Sequence, residues 1–241
     1  MAIDPSAIIH KSAKIHKDAI IKAAAVIGKH VEIDAGTVID SHAVITGPTK
    51  IGRNNHIYSF ASIGGDPQDL TYEDGQESNL VIGNDNLIRE FCTINRGTEK
   101  ENSLTRIGSN NMLMSYVHIA HDCQLGDHII MSNNASLAGH VHISDWAILG
   151  GFVLVKQFCN VGSHTYAGMG SHINKDVPDY MVASGVQPKI RSINTVGMKR
   201  RGFSASSIAS IKRAFKVVYR ESQGRLLDSA LKELEKSESG S

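Results

Sequence analysis

The chain has few aromatic residues, few cysteines and prolines, and no long apolar run. Of its 241 residues 5% are aromatic, three are cysteine and five are proline, whereas 41% are hydrophobic. A core with so few rings must rely on branched aliphatic and small side chains. No stretch approaches the roughly 18 unbroken apolar residues of a membrane-spanning helix, and the N-terminus lacks the pattern of a secretory signal. We therefore expect a cytoplasmic protein that is not membrane-embedded.

An excess of charge of one sign is also absent. The 25 Lys and Arg residues nearly balance the 24 Asp and Glu residues. Because binding to a phosphate backbone usually needs a basic excess, this balance argues against a general nucleic-acid binder. The basic residues are concentrated at 199–225, where eight Lys or Arg accompany one acid, Glu221. This C-terminal part is expected to face an anionic partner.

The dominant pattern of the sequence is a six-residue repeat. Isoleucine occupies every sixth position from Ile3 to Ile63, and a mostly small residue follows four positions after each isoleucine. A period of six fits neither an α-helix nor a long flat strand, but it fits short strands joined by corners. Three hexapeptides would close an 18-residue coil, and successive coils would stack. Breaks in the period predict loops at 64–80 and 97–105.

The pattern ends near Pro178 and divides the chain in two. Residues 1–178 are expected to form the repeat domain, and 179–241 a connecting segment followed by a small helical domain. Apolar residues spaced by three and four predict an amphipathic helix over 204–222, with Ser204 as its N-cap. A second short helix is predicted over 226–236.

The three cysteines test the register of the repeat. Cys92, Cys123 and Cys159 each fall at the position of the repeat where a small inward residue is needed. We expect them to be buried, reduced and without chemical function.

An 18-residue coil places residues 18 apart directly above one another. Two adjacent columns then share one edge of the solenoid: His121, Gly139 and Gln157, and Asp122, His140 and Phe158. A general base, an unshielded backbone N–H and a polar amide are the groups needed to deprotonate a hydroxyl and stabilise an oxyanion. The columns therefore indicate acyl transfer. The alternative is that these corners are polar only because solvent surrounds them.

Several segments resemble the UDP-N-acetylglucosamine O-acyltransferase family: 118–123, 133–135, 137–141, 157–159 and 199–204. The resemblance covers nearly the whole chain. It implies an all-β left-handed parallel β-helix (a hexapeptide-repeat solenoid) followed by a small C-terminal α-helical domain, assembled as a homotrimer with active sites between subunits. It also implies transfer of a 3-hydroxyacyl group to the sugar 3-hydroxyl at the start of lipid A biosynthesis. The acyl group would arrive on the phosphopantetheine of acyl carrier protein, with no metal or other cofactor.

The resemblance also implies roles for individual residues. His121 would be the general base, Asp122 would orient it, and the Gly139 N–H would form the oxyanion hole. Further residues would bind the nucleotide sugar and pantetheine (Asp69, His118, His140, Gln157) or the uridine and phosphates (Asn194, Arg200, Arg201). Arginine suits a diphosphate because its planar fork makes bidentate contacts. The alternative for Arg200 and Arg201 is a solvated helix entrance. The basic C-terminal part would also attract an acidic carrier protein.

Several positions depart from the family pattern, including Val196 in place of a glutamate and Lys156 in place of a histidine. Met169 stands where glycine admits a longer acyl chain, so we expect a shorter donor of the 3-hydroxydecanoyl type, unless Met169 points elsewhere. Thr71 and Asn95 stand where the family commonly has lysine and histidine. The loss of two potentially cationic groups leaves open an acceptor with a 3-amino group, which would give an amide.

Two other classes of function remain as alternatives. A γ-type carbonic anhydrase shares the solenoid and would need zinc ligands, for which His118, His121, His140 and His142 are candidates. A non-catalytic scaffold is also possible, because stacked repeats make stable interaction surfaces. The long loops and the His121 column argue against the scaffold.

Overall fold

Short strands and tight corners alternate along most of the chain in the computed structural model, which describes residues 2–221 and Lys232. The first strands are β1 (Ala2–Ile3), β2 (Ile8–Ile9), β3 (Lys14–Ile15), β4 (Ile20–Ile21), β5 (Val26–Ile27), β6 (Val31–Ile33), β7 (Val38–Ile39), β8 (Val44–Ile45), β9 (Thr49–Ile51), β10 (His56–Ile57) and β11 (Ser62–Gly65). After a loop at 66–78 come β12 (Asn79–Ile82), β13 (Leu87–Ile88) and β14 (Thr93–Asn95).

A second loop, at 96–103, precedes the remaining coils. Their strands are β15 (Leu104–Ile107), β16 (Met112–Leu113), β17 (His118–Ile119), β18 (Gln124–Leu125), β19 (Ile130–Met131), β20 (Ser136–Leu137), β21 (His142–Ile143), β22 (Ile148–Leu149), β23 (Leu154–Val155), β24 (Asn160–Val161), β25 (Tyr166–Ala167) and β26 (His172–Ile173). These two loops lie at the predicted breaks in the period, and each is slightly shorter than expected because a following strand, β12 or β15, begins earlier.

The strands form three parallel sheets, which are the three faces of a left-handed β-helix. Sheet A begins β1-β4-β7, sheet B begins β2-β5-β8, and sheet C contains β3, β6, β9 and their successors up to β24. We name the edges AB, BC and CA after the sheets that the chain connects there. Ile119 pairs with Leu137, and Leu137 with Val155, so the 18-residue coil is confirmed. Both loops project from edge BC.

The repeated isoleucines build the core. From Ile21 to Ile63 each one is buried, and the small residues between them, such as Ala25 and Ala43, are buried beside them. Ile3, Ile9 and Ile15 are only partly buried because no coil covers the N-terminal end. The three cysteines are buried and free, as predicted. Burial raises the pKa of Cys92 and of Cys123 to about 12, so neither is a thiolate at neutral pH.

Buried polar groups at edge CA are satisfied by a ladder of hydrogen bonds. The Asn55 side-chain oxygen accepts from the Asn86 backbone N–H at 3.0 Å, and the Asn86 oxygen accepts from the Asn111 N–H at 2.9 Å. At many corners a non-glycine residue adopts a left-handed φ, for example 62° at His140. Such residues cost about 1 kcal/mol each, which the repeated inter-coil hydrogen bonds offset.

The segment after Pro178, which was expected to be only a connecting segment, contains two further strands. Strands β27 (Met181–Ser184) and β28 (Lys189–Ile193) form an antiparallel hairpin, and β27 extends sheet A beside β25. Helix α1 (Thr195–Arg200) follows, then α2 (Ala205–Lys216) and a π-helical turn (Val217–Glu221). The Ser204 side chain caps α2, as predicted. The helix predicted over 226–236 lies outside the described residues, apart from Lys232. In the described part of the chain, no helix has the length and apolar character needed to cross a membrane.

Candidate active site

His121 and Asp122 form a hydrogen-bonded pair at edge BC, in the corner between β17 and β18. The Nδ1 atom of His121 lies 2.8 Å from Oδ2 of Asp122. Burial opposes ionisation of Asp122, but hydrogen bonds from His121 and Thr98 outweigh it, so the pKa of Asp122 lies below its usual value. The carboxylate therefore stays charged and holds the Nδ1–H tautomer of His121, which leaves Nε2 as the basic nitrogen.

The ring of His121 is enclosed, whereas its corner position in the repeat predicts exposure to solvent. Its exposed fraction is only 5%, because the loop at 96–103 and the ring of His140 cover this corner. The His140 ring meets it edge-on at 5.1 Å. On the other side the ring rests on the backbone of Gly139, where a Cβ would lie 2.5 Å from Cε1 of His121. Any side chain at 139 would displace the imidazole.

Gly139 also supplies a free donor beside His121. Among the described residues, no acceptor receives the Gly139 N–H. The neighbouring coils are in register here: the His140 N–H donates to the His121 carbonyl at 3.1 Å, and the Phe158 N–H to the Gly139 carbonyl at 3.4 Å. The predicted columns are therefore present. Gln157 lies on the same edge one coil further and is exposed to solvent.

Asp69 and Thr71 lie in the loop at 66–78, on the same edge. Asp69 Oδ1 accepts hydrogen bonds from the Thr71 N–H and hydroxyl, both at 2.9 Å. Asp69 Oδ2 pairs with the ammonium of Lys100 in the second loop, at 2.5 Å. The Lys100 and then the Thr71 hydrogen bonds hold the pKa of Asp69 well below its usual range. Lys100 thus joins the two loops beside the site.

His118 and Asn95 lie on the outer face of sheet B. Nδ1 of His118 is 2.7 Å from the Thr93 hydroxyl, and burial together with the neighbouring His121 lowers the pKa of His118. The Asn95 amide donates to the Asp66 carbonyl at 2.7 Å. Its oxygen is buried and has no hydrogen-bond partner among the described residues. Asn95 therefore offers an unsatisfied acceptor.

The remaining predicted residues lie on other edges of the same protomer. Met169 lies at edge AB, in the corner between β25 and β26, and is 78% exposed. Asn194 caps α1 by accepting from the Gly197 N–H, and its amide donates to the His164 carbonyl, so its side chain is used within the fold at edge CA. Arg200 is exposed beside it. One protomer does not bring these residues to His121.

Arg201 contacts a column of rings at edge CA that sequence reasoning missed. Its guanidinium lies 5.1 Å from the centre of the Trp146 ring, and Nη1 is 3.2 Å from Nδ1 of His164. His128, Trp146 and His164 are spaced 18 residues apart, so the spacing that identified the His121 column also predicts this column. The contacts of Thr98, Lys100 and Glu101 were missed as well, because a loop has no period.

Comparisons with known proteins agree with this geometry. Residues 176–241 match the family model described as "Udp N-acetylglucosamine O-acyltransferase; Domain 2", and 104–139 match bacterial transferase hexapeptide repeats. The acyl-[acyl-carrier-protein]–UDP-N-acetylglucosamine O-acyltransferase of Stutzerimonas stutzeri is 49% identical, over 98% of this chain and 90% of that one. The protein of the same name from Ectopseudomonas mendocina is 50% identical over the same shares. The structure of LpxA from Acinetobacter baumannii superposes with a TM-score of 0.94 at 46% identity, over 98% of this chain and 90% of that one.

The chain belongs to the UDP-N-acetylglucosamine O-acyltransferase family. Identity near one half over almost the full length of both chains includes the repeats, both loops and the C-terminal segment. The family resemblance read from the segments around His121 and Arg201 is therefore confirmed, and the chain is an acyltransferase. The left-handed β-helix is the fold of this O-acyltransferase family.

The histidines near the site do not assemble as the carbonic-anhydrase alternative requires. His142 points outward from sheet C and bonds Asn160 at 3.0 Å, and His118 bonds Thr93. Among the described residues, the one group that could hold a metal ion is His121, Asp122 and His140. Asp122 Oδ2 in that group already accepts hydrogen bonds from His121 and Thr98. In an O-acyltransferase, this arrangement suits an oriented base better than a metal ligand set.

Proposed function

We propose that this chain transfers a 3-hydroxyacyl group from acyl carrier protein to the 3-hydroxyl of UDP-N-acetylglucosamine, the step that begins lipid A biosynthesis. The observation that carries the proposal is the His121–Asp122 pair, 2.8 Å apart, lying against the free N–H of Gly139. The relatives that share half of its residues carry both substrates in their names. No metal or other cofactor is needed for this chemistry.

The geometry supports a reaction through a tetrahedral intermediate. Nε2 of His121 takes the proton of the sugar 3-hydroxyl, and the oxygen attacks the thioester carbonyl carbon. Negative charge forms on the carbonyl oxygen, which the Gly139 N–H stabilises. The carbon–sulfur bond then breaks, and the imidazolium of His121 returns the proton to the pantetheine sulfur. Asp122 remains ionised and stabilises the imidazolium throughout.

The acceptor is bound by residues around the two loops in this proposal. Asp69, His118, His140 and Gln157 lie on or beside edge BC and line the sugar and pantetheine site. A 3-amino sugar is a second candidate acceptor. The buried Asn95 oxygen lacks a donor, which either a 3-amino group or a 3-hydroxyl would supply. Thr71 contributes no positive charge that would repel such an amine.

The surface of the prism supports association into the proposed homotrimer. Most outer side chains of sheet C are polar or charged, among them Lys14, Glu32, Lys50, Arg106, Gln124 and His142, with Val81 and Leu104 as apolar exceptions. Sheets A and B instead expose Leu87, Tyr166, Ile8 and Leu154. At edge AB, His42, Phe60, Phe91 and Tyr116 stack at 4.9 to 5.3 Å while largely exposed. Apolar patches of this kind are typical of subunit interfaces.

This arrangement completes the site from two copies. If edge AB of each copy faces a common axis, sheet A of one copy covers sheet B of the next. Edge CA, with Asn194, Arg200 and Arg201, then lies beside edge BC of the neighbour, with His121. The uridine and phosphates would bind at edge CA of one copy, while the sugar reaches His121 at edge BC of its neighbour. The cleft between the copies runs inward toward edge AB, where Met169 would limit the acyl chain to about the 3-hydroxydecanoyl length.

The carrier protein is proposed to dock on the C-terminal helices. Lys212, Arg213 and Lys216 project from α2 into solvent, close in sequence to Lys199 and Arg200. A basic surface accelerates encounter with an acidic partner, and added salt slows that encounter.

The proposed activity is tested by incubating the purified chain with UDP-N-acetylglucosamine and 3-hydroxydecanoyl carrier protein. Mass spectrometry should show the sugar nucleotide gaining one 3-hydroxyacyl group while the carrier loses it. Light scattering on the same sample should give three times the chain mass. An intact acyl carrier after long incubation, with a correctly assembled trimer, would contradict the proposal.

A further inference from the structure

The second loop, 96–103, touches three of the candidate site residues through three of its own. Thr98 contacts Asp122, Lys100 contacts Asp69, and Glu101 Oε2 lies 3.2 Å from Nδ1 of His140. The contacts of Lys100 and Glu101 lie at the surface, where both side chains are about half exposed. The Thr98 contact is different, because it is completely enclosed.

Thr98 donates a hydrogen bond to each oxygen of the Asp122 carboxylate. Its backbone N–H donates to Oδ1 at 2.8 Å, and its hydroxyl donates to Oδ2 at 2.7 Å. Oδ2 is also the oxygen that receives Nδ1 of His121. Thr98 is 2% exposed and Asp122 1%, so water does not compete for these bonds. Both carboxylate oxygens are therefore fixed by donors from one residue.

This double contact determines the orientation of Asp122. A carboxylate held by a single partner can rotate about its terminal bond, whose torsional preference is broad. Donors on both oxygens fix the carboxylate plane and direct Oδ2 at the imidazole. Hydrogen bonds to a charged group in a buried site are among the stronger ones in proteins.

The loop itself is built to hold Thr98 in place. The Ser103 N–H donates to the Thr98 carbonyl at 3.0 Å, and the Ser78 hydroxyl donates to the Gly97 carbonyl at 2.7 Å. A Cβ at Gly97 would lie 2.1 Å from the backbone nitrogen of Leu104, so only glycine fits before Thr98. The first loop, the second loop and β15 thus fix the backbone from which Thr98 donates.

We propose that Thr98 is a positioning residue for the transfer reaction, the third member of a buried chain Thr98–Asp122–His121. It aligns the carboxylate that orients the base, and it does not touch substrate. The inference rests on the proposed function, because it assigns Thr98 a part in that reaction.

The test compares Thr98→Val with Thr98→Ser. Valine keeps the shape and the backbone N–H and removes only the hydroxyl donor. One hydrogen bond to a charged group is enough to change a rate by about tenfold, so kcat of Thr98→Val should fall about tenfold while KM for both substrates stays within about twofold. Serine restores the donor and should return kcat to near the wild-type value. Thr37→Val, which removes another buried hydroxyl bonded at 2.7 Å to the Gly52 carbonyl, should leave kcat unchanged.

A second readout does not depend on turnover. The proton on Nδ1 of His121 should give a low-field NMR resonance, identified by its loss in His121→Ala. Thr98→Val should shift or broaden it, whereas Thr98→Ser and Thr37→Val should not. If wild type shows no turnover, the proposed function fails. The resonance alone then decides whether Thr98 orients the Asp122–His121 pair. Unchanged kcat together with an unchanged resonance in Thr98→Val would overturn the inference. Thr98→Val that only loses stability or only raises KM, with kcat and the resonance unchanged, would overturn it as well.

Discussion

The His121 ring lies against the backbone of Gly139, so close that a Cβ there would be 2.8 Å from Nε2 of His121. The basic nitrogen and the free N–H of the next coil are therefore held on one scaffold. The coil register sets the position of the Gly139 N–H, and the hydrogen bond to Asp122 holds the His121 ring beside it. A rigid arrangement of this kind lowers the cost of reaching the transition state.

Replacing His121, the proposed base, should abolish most activity without unfolding the chain. We expect His121→Ala to lower kcat by about 10²- to 10⁴-fold, the usual contribution of a general base. His142→Ala is the matched control, because His142 also sits in the repeat but points outward from sheet C. Steady-state kinetics and circular dichroism on both variants make the comparison. A His121→Ala enzyme with most of its activity would remove His121 from the mechanism.

Complementation should show whether the site is shared between copies. His121→Ala and Arg201→Ala should each have low activity, because each removes a group of the proposed site. The two groups come from different edges of a protomer, BC and CA. When the two variants are unfolded together and refolded, mixed trimers should contain some sites with both intact groups. Activity well above the average of the separately refolded variants is expected. No gain on mixing would place the complete site within one copy.

The acyl-chain preference should respond to Met169. Met169→Gly removes the side chain that we expect to close the cleft at edge AB, so the preferred donor should become longer by several carbons. Met169→Leu keeps a similar volume and is the control. Relative kcat/KM values for 3-hydroxyacyl carriers of increasing length measure the change. The same preference in all three proteins would show that Met169 does not limit the chain.

Stability should fall as the pH drops below about 6.5. Burial, and then the guanidinium of Arg201, lower the pKa of His164 below its usual value. The unfolded chain therefore binds a proton there before the folded chain does, so the free energy of unfolding decreases with falling pH in this range. His118 contributes in the same direction, since its pKa is lowered too.

Urea unfolding at pH 7.5 and 5.5, at one fixed protein concentration, measures this effect. His164→Gln should lose less stability between the two pH values than wild type does, and His142→Gln should match wild type. An unaltered pH dependence in His164→Gln would show that the lowered pKa of His164, from burial and then from Arg201, does not set the loss of stability.

The repeat could be predicted from the sequence because every sixth residue obeys one rule. Ile21 and Ile45 face the core because every sixth residue of the repeat points inward. The 18-residue spacing correctly places His121 beside Gly139. The columns follow from arithmetic on the coil. The burial of the cysteines follows from it as well, since Cys123 occupies a small inward position.

Other features depend on contacts between segments that no local pattern encodes. The loop at 96–103 covers this corner through contacts of Thr98 with Asp122 and of Glu101 with His140, so His121 is buried where its corner position alone predicts exposure. The hairpin formed by β27 and β28 does not follow the six-residue period, and β27 joins sheet A by pairing with β25. Arg201 packs on Trp146 because α1 folds back over edge CA.

The most direct measurement is a competition between two acceptors. Equal amounts of UDP-N-acetylglucosamine and its 3-amino analogue are offered to the enzyme with limiting 3-hydroxydecanoyl carrier protein, and the products are separated by mass. We expect mainly the ester, formed at the 3-hydroxyl and absent with His121→Ala. Exclusive formation of the amide would make the enzyme an N-acyltransferase and would contradict the proposed acceptor, and the absence of both products would contradict acyl transfer at His121 altogether.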